Sequence, residues 1–223
     1  MASRSDFQKI RPMSLTDEAQ MQIREQILNG TLRPGDTLPD SVIAERMGVS
    51  RSPVREALRL LEQVGLVEKA THRAYRVLSI DRSDLPELAA LRVADELLAV
   101  RLIVQNRTPV DSLRVHIDEM RTAESSEEFV AADTDFHAGV VALAGLPRLS
   151  SRYGALRDQI RLALSVTPHP SGLGTPEFLR SHEELYDLLE AALAHGQTRE
   201  LLRAWELHVL AGMSSTGMLT PQD

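Results

Sequence analysis

Four side chains in the second half of the chain have the types and the spacing of a metal site. Asp133 and His137 stand four residues apart, so a helix would place both on one face about one turn apart. A carboxylate and an imidazole in that arrangement can share a divalent cation. His182 and His208 belong to two later helical patterns, and the four groups could converge inside a helical bundle. A single histidine is more often a surface or capping residue, and Asp135, off the shared face, is expected to be solvated.

A second set of residues carries guanidinium groups at the start of an amphipathic helix. Arg51, Arg55 and Arg59 recur at intervals of four residues, away from the apolar face. That apolar face consists of Val54, Ala57, Leu58 and Leu61. Ser50 or Ser52 can cap the N-terminus of the helix. A helix that buries one side and presents basic, forked donors near its N-terminus is suited to the major groove of DNA, although a solvated surface helix would have the same pattern.

The elements that precede this helix favour the DNA interpretation. A first helix is predicted over residues 16–28, and a stop signal stands directly after it. A short second helix, capped by Asp40 or Ser41, ends at Gly48. The basic helix begins only a few residues later, and this order of elements is the helix-turn-helix arrangement.

Behind the basic helix, two short strand-like runs predict a hairpin that would form a wing. The runs are residues 66–68 and 75–78, with His72 and Arg73 at the tip between them. Residues 80–84 come next as the expected linker.

The rest of the chain has a helical pattern throughout. We predict helices at about 84–106, 109–123, 126–145, 147–166, 175–195 and 197–214. Six helices with short connections predict an antiparallel bundle. The expected fold class is therefore mostly α, a winged helix-turn-helix followed by an all-α bundle. The expected divisions are a flexible arm (1–14), the winged helix-turn-helix (15–79), the linker (80–84) and the helical domain (85–218).

Composition limits the classes of function. The 223 residues contain no cysteine, which excludes disulfides and thiolate metal sites and is compatible with a cytoplasmic location. No apolar run is long enough to cross a membrane, so we expect a soluble protein without a membrane partner. Residues 1–80 hold 12 Lys and Arg against 10 Asp and Glu, whereas residues 81–223 hold 13 against 22. Any contact with nucleic acid is therefore expected in the first third of the chain.

Several motifs in residues 23–77 resemble the winged helix of GntR-family transcription regulators, and they occur in that family's order and spacing. They are residues 23–30, Pro34-Gly35-Asp36-Thr37-Leu38, residues 48–58 and Gly65-Leu66-Val67-Glu68. The helical part of the chain resembles the all-helical effector-binding and dimerisation domain of the FadR-type subgroup, the FCD domain. The two resemblances together cover nearly all of the chain after residue 14.

The resemblance implies a role for each predicted DNA-contacting residue. Arg51 and Arg55 would read guanine edges or clamp phosphates, because a guanidinium fork matches both. Ser50 and Ser52 would meet phosphate oxygens at the helix N-terminus. The wing residues His72 and Arg73 would reach the minor groove or the DNA backbone. One departure is Ala74, which stands where the family usually has glycine in the wing.

The resemblance also implies a metal and an effector. Metal-binding FCD domains carry an Asp, a His four residues on, and two later His, which Asp133, His137 and His208 match. The third histidine position falls on His182 or on Tyr186, and we favour His182, with Tyr186 then close to the effector. The metal would be divalent, zinc first and nickel or manganese as alternatives, and it would anchor a small organic acid. The arginines expected to meet that acid are Arg92, Arg157 and Arg161.

Three classes of function remain at this point. We favour a ligand-responsive DNA-binding regulator, a repressor that acts as a homodimer on a two-fold symmetric operator in double-stranded DNA. The second class is a metal-dependent hydrolase built on the same Asp and His residues, although no general base or nucleophile motif accompanies them. The third is a helical module that binds protein. We therefore expect the chain not to be an enzyme.

Overall fold

The described residues of the first part of the molecule form three helices. The computed structural model describes residues 14–70, 74–166 and 175–213. Helix α1 is Leu15–Leu28, α2 is Asp40–Met47 and α3 is Arg51–Gln63. The start of α1 is fixed by a capping box, in which the Ser14 hydroxyl accepts from the Asp17 amide and the Asp17 carboxylate accepts from the Ser14 amide.

A small antiparallel sheet completes this part. Its strands are β1 (Thr37–Leu38), β2 (Val67–Lys69) and β3 (Tyr75–Val77), in the order β1-β3-β2. In the wing hairpin, Val67 pairs with Val77 and Lys69 with Tyr75. The two-residue strand β1 was not predicted, because two residues are too few to have a recognisable alternation.

The predicted apolar face of α3 forms the centre of the first core. Val54, Ala57, Leu58 and Leu61 are completely buried. Two details differ from the sequence interpretation. Ser50 stands at the N-cap of α3 but makes no capping hydrogen bond with its side chain. The inward face of α2 is also narrower than its apolar residues suggest, since Val42 is 40% exposed.

The described residues of the second part form six helices, and all except the second of them, which begins at Arg114 and not at 109, agree with their predicted bounds within two residues. They are α4 (Leu85–Asn106), α5 (Arg114–Thr122), α6 (Ser126–Leu143), α7 (Pro147–Val166), α8 (Pro176–His195) and α9 (Arg199–Gly212), with a 3₁₀ turn at Asp111–Leu113 before α5. Helix α4 packs against α6, α7, α8 and α9, so it lies at the centre of the bundle. This architecture confirms the predicted fold class. None of the helices within the described ranges is long and apolar enough to span a bilayer.

Helix α7 also packs against the first part of the chain. The Asp158 carboxylate accepts two hydrogen bonds from the Arg24 guanidinium on α1, and Gln159 Nε2 donates to the Val64 carbonyl oxygen, 2.9 Å away. Leu162 is buried within the first core. Gly65 allows this approach, because a Cβ there would lie 2.3 Å from Gln159 Nε2. Helix α7 thus joins the two parts.

Replacement of Arg24 by glutamine is expected to weaken this joint. The Asp158 carboxylate, 7% exposed, would lose its bidentate partner, and a hydrogen bond to a charged group contributes about 1.5–3 kcal/mol. We expect the free energy of unfolding to fall by about that amount in chemical denaturation. Arg33→Gln is the matched control, since Arg33 is exposed and forms no ion pair with any described residue. Equal stability of the two variants would contradict the expectation.

A candidate metal centre and a candidate DNA interface

The four residues predicted as metal ligands lie together in the helical bundle. Asp133 and His137 are one turn apart on α6, His182 lies on α8 and His208 on α9. Each offers one ligand atom, and these atoms all lie within 4.8 Å of one another. The first three residues are buried and His208 is partly exposed. The cluster could therefore hold one metal ion.

Hydrogen bonds fix the orientation of two of the imidazoles. His137 Nδ1 lies 2.6 Å from a carboxylate oxygen of Glu96, and His182 Nδ1 lies 2.9 Å from the Phe178 carbonyl oxygen. Both oxygens only accept, so the proton of each ring lies on Nδ1 and Nε2 carries a lone pair directed toward the cluster. A ring nitrogen with a free lone pair is the form that binds a metal.

The surroundings of His137 Nε2 and His182 Nε2 are those expected for atoms that bind a cation. His137 Nε2 is buried and has no hydrogen-bond partner among the described atoms. His182 Nε2 lies 2.9 Å from Asp133 Oδ1, although both atoms are acceptors when His182 is neutral. Two acceptors at that distance require a proton or a metal ion between them. The donor set thus fits the divalent cation that the sequence predicted.

The charges around the cluster are buried and paired. Arg92 donates through Nε to Glu96, 2.9 Å away, and its Nη2 lies 3.5 Å from Asp133 Oδ2. Burial would raise the pKa of Glu96, but His137 and Arg92 outweigh it and lower that pKa to about 2. Burial likewise opposes ionisation of Asp133, and the nearby Arg92 guanidinium holds its pKa well below the ordinary value. Both carboxylates are therefore charged at neutral pH.

The surroundings of His137 and His208 favour the neutral imidazole. Burial lowers the pKa of His137, and the nearby Arg92 lowers it further. Burial also lowers the pKa of His208, together with the adjacent His182 and His137. The two carboxylates and the Arg92 guanidinium together carry a net charge of about −1, which a divalent cation would change to about +1.

Glu96 organises the cluster, and the sequence interpretation missed it. It also accepts hydrogen bonds from the Tyr153 hydroxyl on α7 and from Trp205 Nε1 on α9, at 2.6 Å for the latter. Three donors from other helices and one from its own helix therefore converge on one carboxylate. Its spacing of four residues from Arg92, within a strongly apolar helix, was the available signal.

A surface cavity of about 430 Å³ lies beside the cluster, between α8 and α9. His208 is the only cluster residue that lines it, next to Phe178 and Leu185. Glu177, Ser181 and Glu184 are the polar residues that also line it. The cavity is therefore a route by which a small molecule could approach the cluster.

The structure brings only one of the four predicted effector residues to the cluster. Arg92 lies there, 3% exposed. Tyr186 does not, because its phenol reaches one turn further along α8 and its hydroxyl donates to Glu190, 3.0 Å away. Of the two candidates for the third histidine position, His182 therefore lies in the cluster and Tyr186 does not.

Arg157 and Arg161 lie in the contact between the two parts of the chain instead. Arg157 pairs with Asp135 at 3.1 Å and with Asp158 at 3.4 Å. Arg161 is half-buried near the same residues and Arg24. These arginines face the first part of the chain because α7 presents that side to α1, which spacing along α7 alone could not reveal. Asp135, expected to be solvated, is partly exposed and held by Arg157.

The other candidate site is the N-terminal end of α3. The side chains of Arg51 and Arg55 are 60% and 65% exposed, and Ser50 and Ser52 lie exposed beside them. Both arginines contact the carboxylate of Asp40, the first residue of α2. The predicted wing contacts His72 and Arg73 lie outside the described residues, as does the arm except for Ser14.

A groove of about 660 Å³ runs between α3 and the wing. It is lined by Leu38, Pro39, Asp40, Arg51, Arg55, Lys69, Ala74 and Tyr75. Three of these residues are basic. Arg51 and Arg55 belong to α3, and Lys69 belongs to strand β2 of the wing. The surface has the forked donors and the positive charge that DNA recognition requires.

Comparison with known proteins identifies the families of both parts of the chain. The family model described as bacterial regulatory proteins, gntR family, matches residues 15–77, and the FCD domain model matches residues 87–209. The HTH-type transcriptional regulator McbR of Escherichia coli (strain K12) is 30% identical over 190 residues, covering 83% of this chain and 85% of McbR. The probable D-xylose utilization operon transcriptional repressor of Paenarthrobacter nicotinovorans is 32% identical over 170 residues, 74% of each chain.

A solved structure with a similar fold is that of a transcriptional regulator GntR from Rhodococcus sp. RHA1. It has a TM-score of 0.78 at 24% identity and covers 92% of this chain and 99% of its own. The families and relatives are transcription regulators and not enzymes, in agreement with the prediction for this chain. The chain therefore belongs to the GntR family of bacterial regulatory proteins, as a DNA-binding transcription regulator with an FCD domain.

Proposed function

We propose that the protein is a repressor that binds a two-fold symmetric operator through α3 and responds to a small organic acid bound in its metal-containing FCD domain. The observation that carries the second half of this proposal is the pair of acceptor atoms, His182 Nε2 and Asp133 Oδ1, 2.9 Å apart in a buried cluster. The first half rests on the exposed arginines of α3.

Asp133, His137, His182 and His208 would hold a divalent cation, with zinc as the first candidate. Three imidazoles and one carboxylate are a common zinc donor set, and nickel and manganese accept the same groups. When bound, the metal supplies a Lewis-acidic anchor for a carboxylate. Glu96 and the Phe178 carbonyl orient the two buried imidazoles for this role.

A small organic acid suits the charge of the site. The metal-loaded cluster would carry a net charge of about +1, so an anion is favoured over a neutral or cationic ligand. The buried guanidinium of Arg92 adds a fixed positive charge next to Asp133. The cavity beside His208 offers the route of entry.

Helix α7 is the element we propose for coupling the two sites. Tyr153 on this helix donates to Glu96 next to the cluster, while Asp158 and Gln159 contact the first part of the chain. A ligand that shifts Tyr153 would therefore also bias the position of the DNA-binding part. The size of the response equals the preference of the ligand for one arrangement over the other.

A homodimer is proposed because one α3 reads too few base pairs for a specific site. Leu91 and Leu98, two turns apart on α4, are 49% and 42% exposed and form an apolar stripe that a second copy could cover. The assignment as a repressor is supported by the relative from Paenarthrobacter nicotinovorans, which is itself a probable operon repressor. A cytoplasmic location accords with regulation of transcription in bacteria.

The proposal is tested by selection of a duplex from a random-sequence pool with the full-length protein. The expected consensus has two inverted half-sites about one helical turn apart. A panel of small mono- and dicarboxylic acids is then added to the zinc-loaded and to the metal-free protein. At least one acid should change the operator affinity by about 5- to 150-fold, and only in the metal-loaded protein. Selection of no consensus, or identical affinities in all arms, would refute it.

A further inference from the structure

An acidic side chain lies at the centre of the proposed DNA-contacting surface. Asp40 accepts from Arg51 Nη2 through Oδ1, at 2.8 Å. Its other oxygen, Oδ2, accepts from Arg55 Nε at 3.0 Å and from Arg55 Nη2 at 2.8 Å. The carboxylate is 18% exposed, whereas both guanidinium groups are mostly exposed. One carboxylate thus holds both arginines from behind and leaves them facing outward.

The charge of this carboxylate persists at neutral pH. Partial burial would raise the pKa of Asp40, but the hydrogen bonds from Arg51 and Arg55 outweigh burial and lower that pKa. A fixed negative charge on a surface that approaches DNA repels phosphates, so it weakens the sequence-independent part of the affinity. A purely structural role is the simpler alternative, since an anion at the first residue of α2 also stabilises that helix through its dipole.

The hydrogen bonds leave the arginines able to read bases. A guanidinium has five N–H donors. Arg51 uses one of them on Asp40 and Arg55 uses two, so each retains at least two for the O6 and N7 atoms of a guanine. A guanidinium that is already held in one position also loses less conformational freedom on binding than a free side chain.

We propose that Asp40 is a specificity-determining residue, which fixes Arg51 and Arg55 for base reading and keeps DNA phosphates from capturing them. This inference rests on the proposed role of the two arginines in DNA binding. It assigns to Asp40 a positioning role and no direct contact with a base. The partner concerned is double-stranded DNA, and the property controlled is the ratio of specific to non-specific affinity.

The test compares full-length Asp40→Asn with the unmodified chain on two probes, the duplex selected from a random-sequence pool and a scrambled duplex of the same composition. Affinity for the scrambled duplex is expected to rise about threefold to tenfold, because a repulsive charge is removed and two arginines are released to phosphates. Affinity for the selected duplex is expected to fall about fivefold or more. The slope of log affinity against log salt on the scrambled duplex should steepen by about 1–2.

Glu45→Gln provides the matched control, since Glu45 lies exposed on the same helix and forms no ion pair with a described residue. It removes the same charge and should leave the ratio of affinities unchanged. Asp40→Glu, which restores the carboxylate, should recover most of the ratio. Melting temperatures recorded on the same samples exclude a loss of folding as the cause.

The outcomes distinguish the role of Asp40 from the role of the arginines. A reduced ratio and a steeper salt slope in Asp40→Asn alone support the inference. An equal change on both probes, or an effect no larger than that of Glu45→Gln, overturns it and leaves Asp40 a structural residue. If the double variant Arg51→Ala, Arg55→Ala keeps its preference for the selected duplex, the proposed role of the arginines is refuted, and the inference about Asp40 is refuted with it. If that double variant loses the preference while Asp40→Asn keeps it, only the inference about Asp40 fails.

Discussion

Replacement of both Arg51 and Arg55 by alanine is expected to abolish the preference of the protein for its operator. Each bidentate contact with a guanine contributes about 1–3 kcal/mol of discrimination, and a dimer would lose such contacts in both half-sites. The side chains are exposed, so the fold should survive the substitutions with little change in stability. Titration of the selected and the scrambled duplex by fluorescence anisotropy measures the loss.

Arg59→Ala is the control for this experiment. Arg59 lies one turn further along α3, is similarly exposed and pairs with Glu56 on the same helix. It removes one positive charge, against two in the double variant, and that charge is not at the N-terminal end of the helix. A drop in specific affinity as large in Arg59→Ala as in the double variant would contradict the assignment, since it would indicate a general effect of charge.

Replacement of His208 by alanine is expected to remove tight metal binding. His208 is the one proposed ligand that is not fully buried, so its truncation disturbs the core least. Loss of a partner outside the coordination sphere already weakens metal affinity about 10- to 100-fold, and loss of a ligand should exceed that. Elemental analysis of the purified, dialysed protein should find about one zinc per chain in the unmodified protein and almost none in the variant.

Stabilisation of the fold by zinc gives a second measurement on the same variant. The unmodified chain should gain about 2.7 kcal/mol of stability when zinc is present at a hundred times its dissociation constant, and His208→Ala should gain almost none. His195→Ala is the control, because His195 is exposed at the end of α8 and lies outside the cluster. Equal zinc content in both histidine variants would show that His208 is not a ligand of the metal.

The helices and the main cluster could be predicted because they depend on spacing along the chain. Buried positions three and four residues apart identified the face of α3, whose residues Val54 and Leu61 are completely buried. The same spacing placed Asp133 and His137 on one face of α6. Such local periodicity needs no knowledge of how helices pack against one another.

Features that depend on packing between elements could not be predicted. His182 and Tyr186 share a face of α8. Only the position of α8 along its axis relative to α6 places His182 beside Asp133. Glu96 looks solvent-exposed by residue type, yet four donors make its burial possible. The contact of Asp40 with Arg55 joins two helices across a turn, and no rule of spacing within one helix reveals it.

Base reading by the two arginines at the N-terminal end of α3 is the property on which the proposed function depends most. A crystal structure of the full-length protein with the selected duplex tests it most directly. We predict that α3 lies in the major groove of each half-site, with donors of Arg51 and Arg55 within about 3 Å of guanine O6 or N7. A complex in which both arginines remain turned toward Asp40 alone and another surface contacts the bases would contradict it.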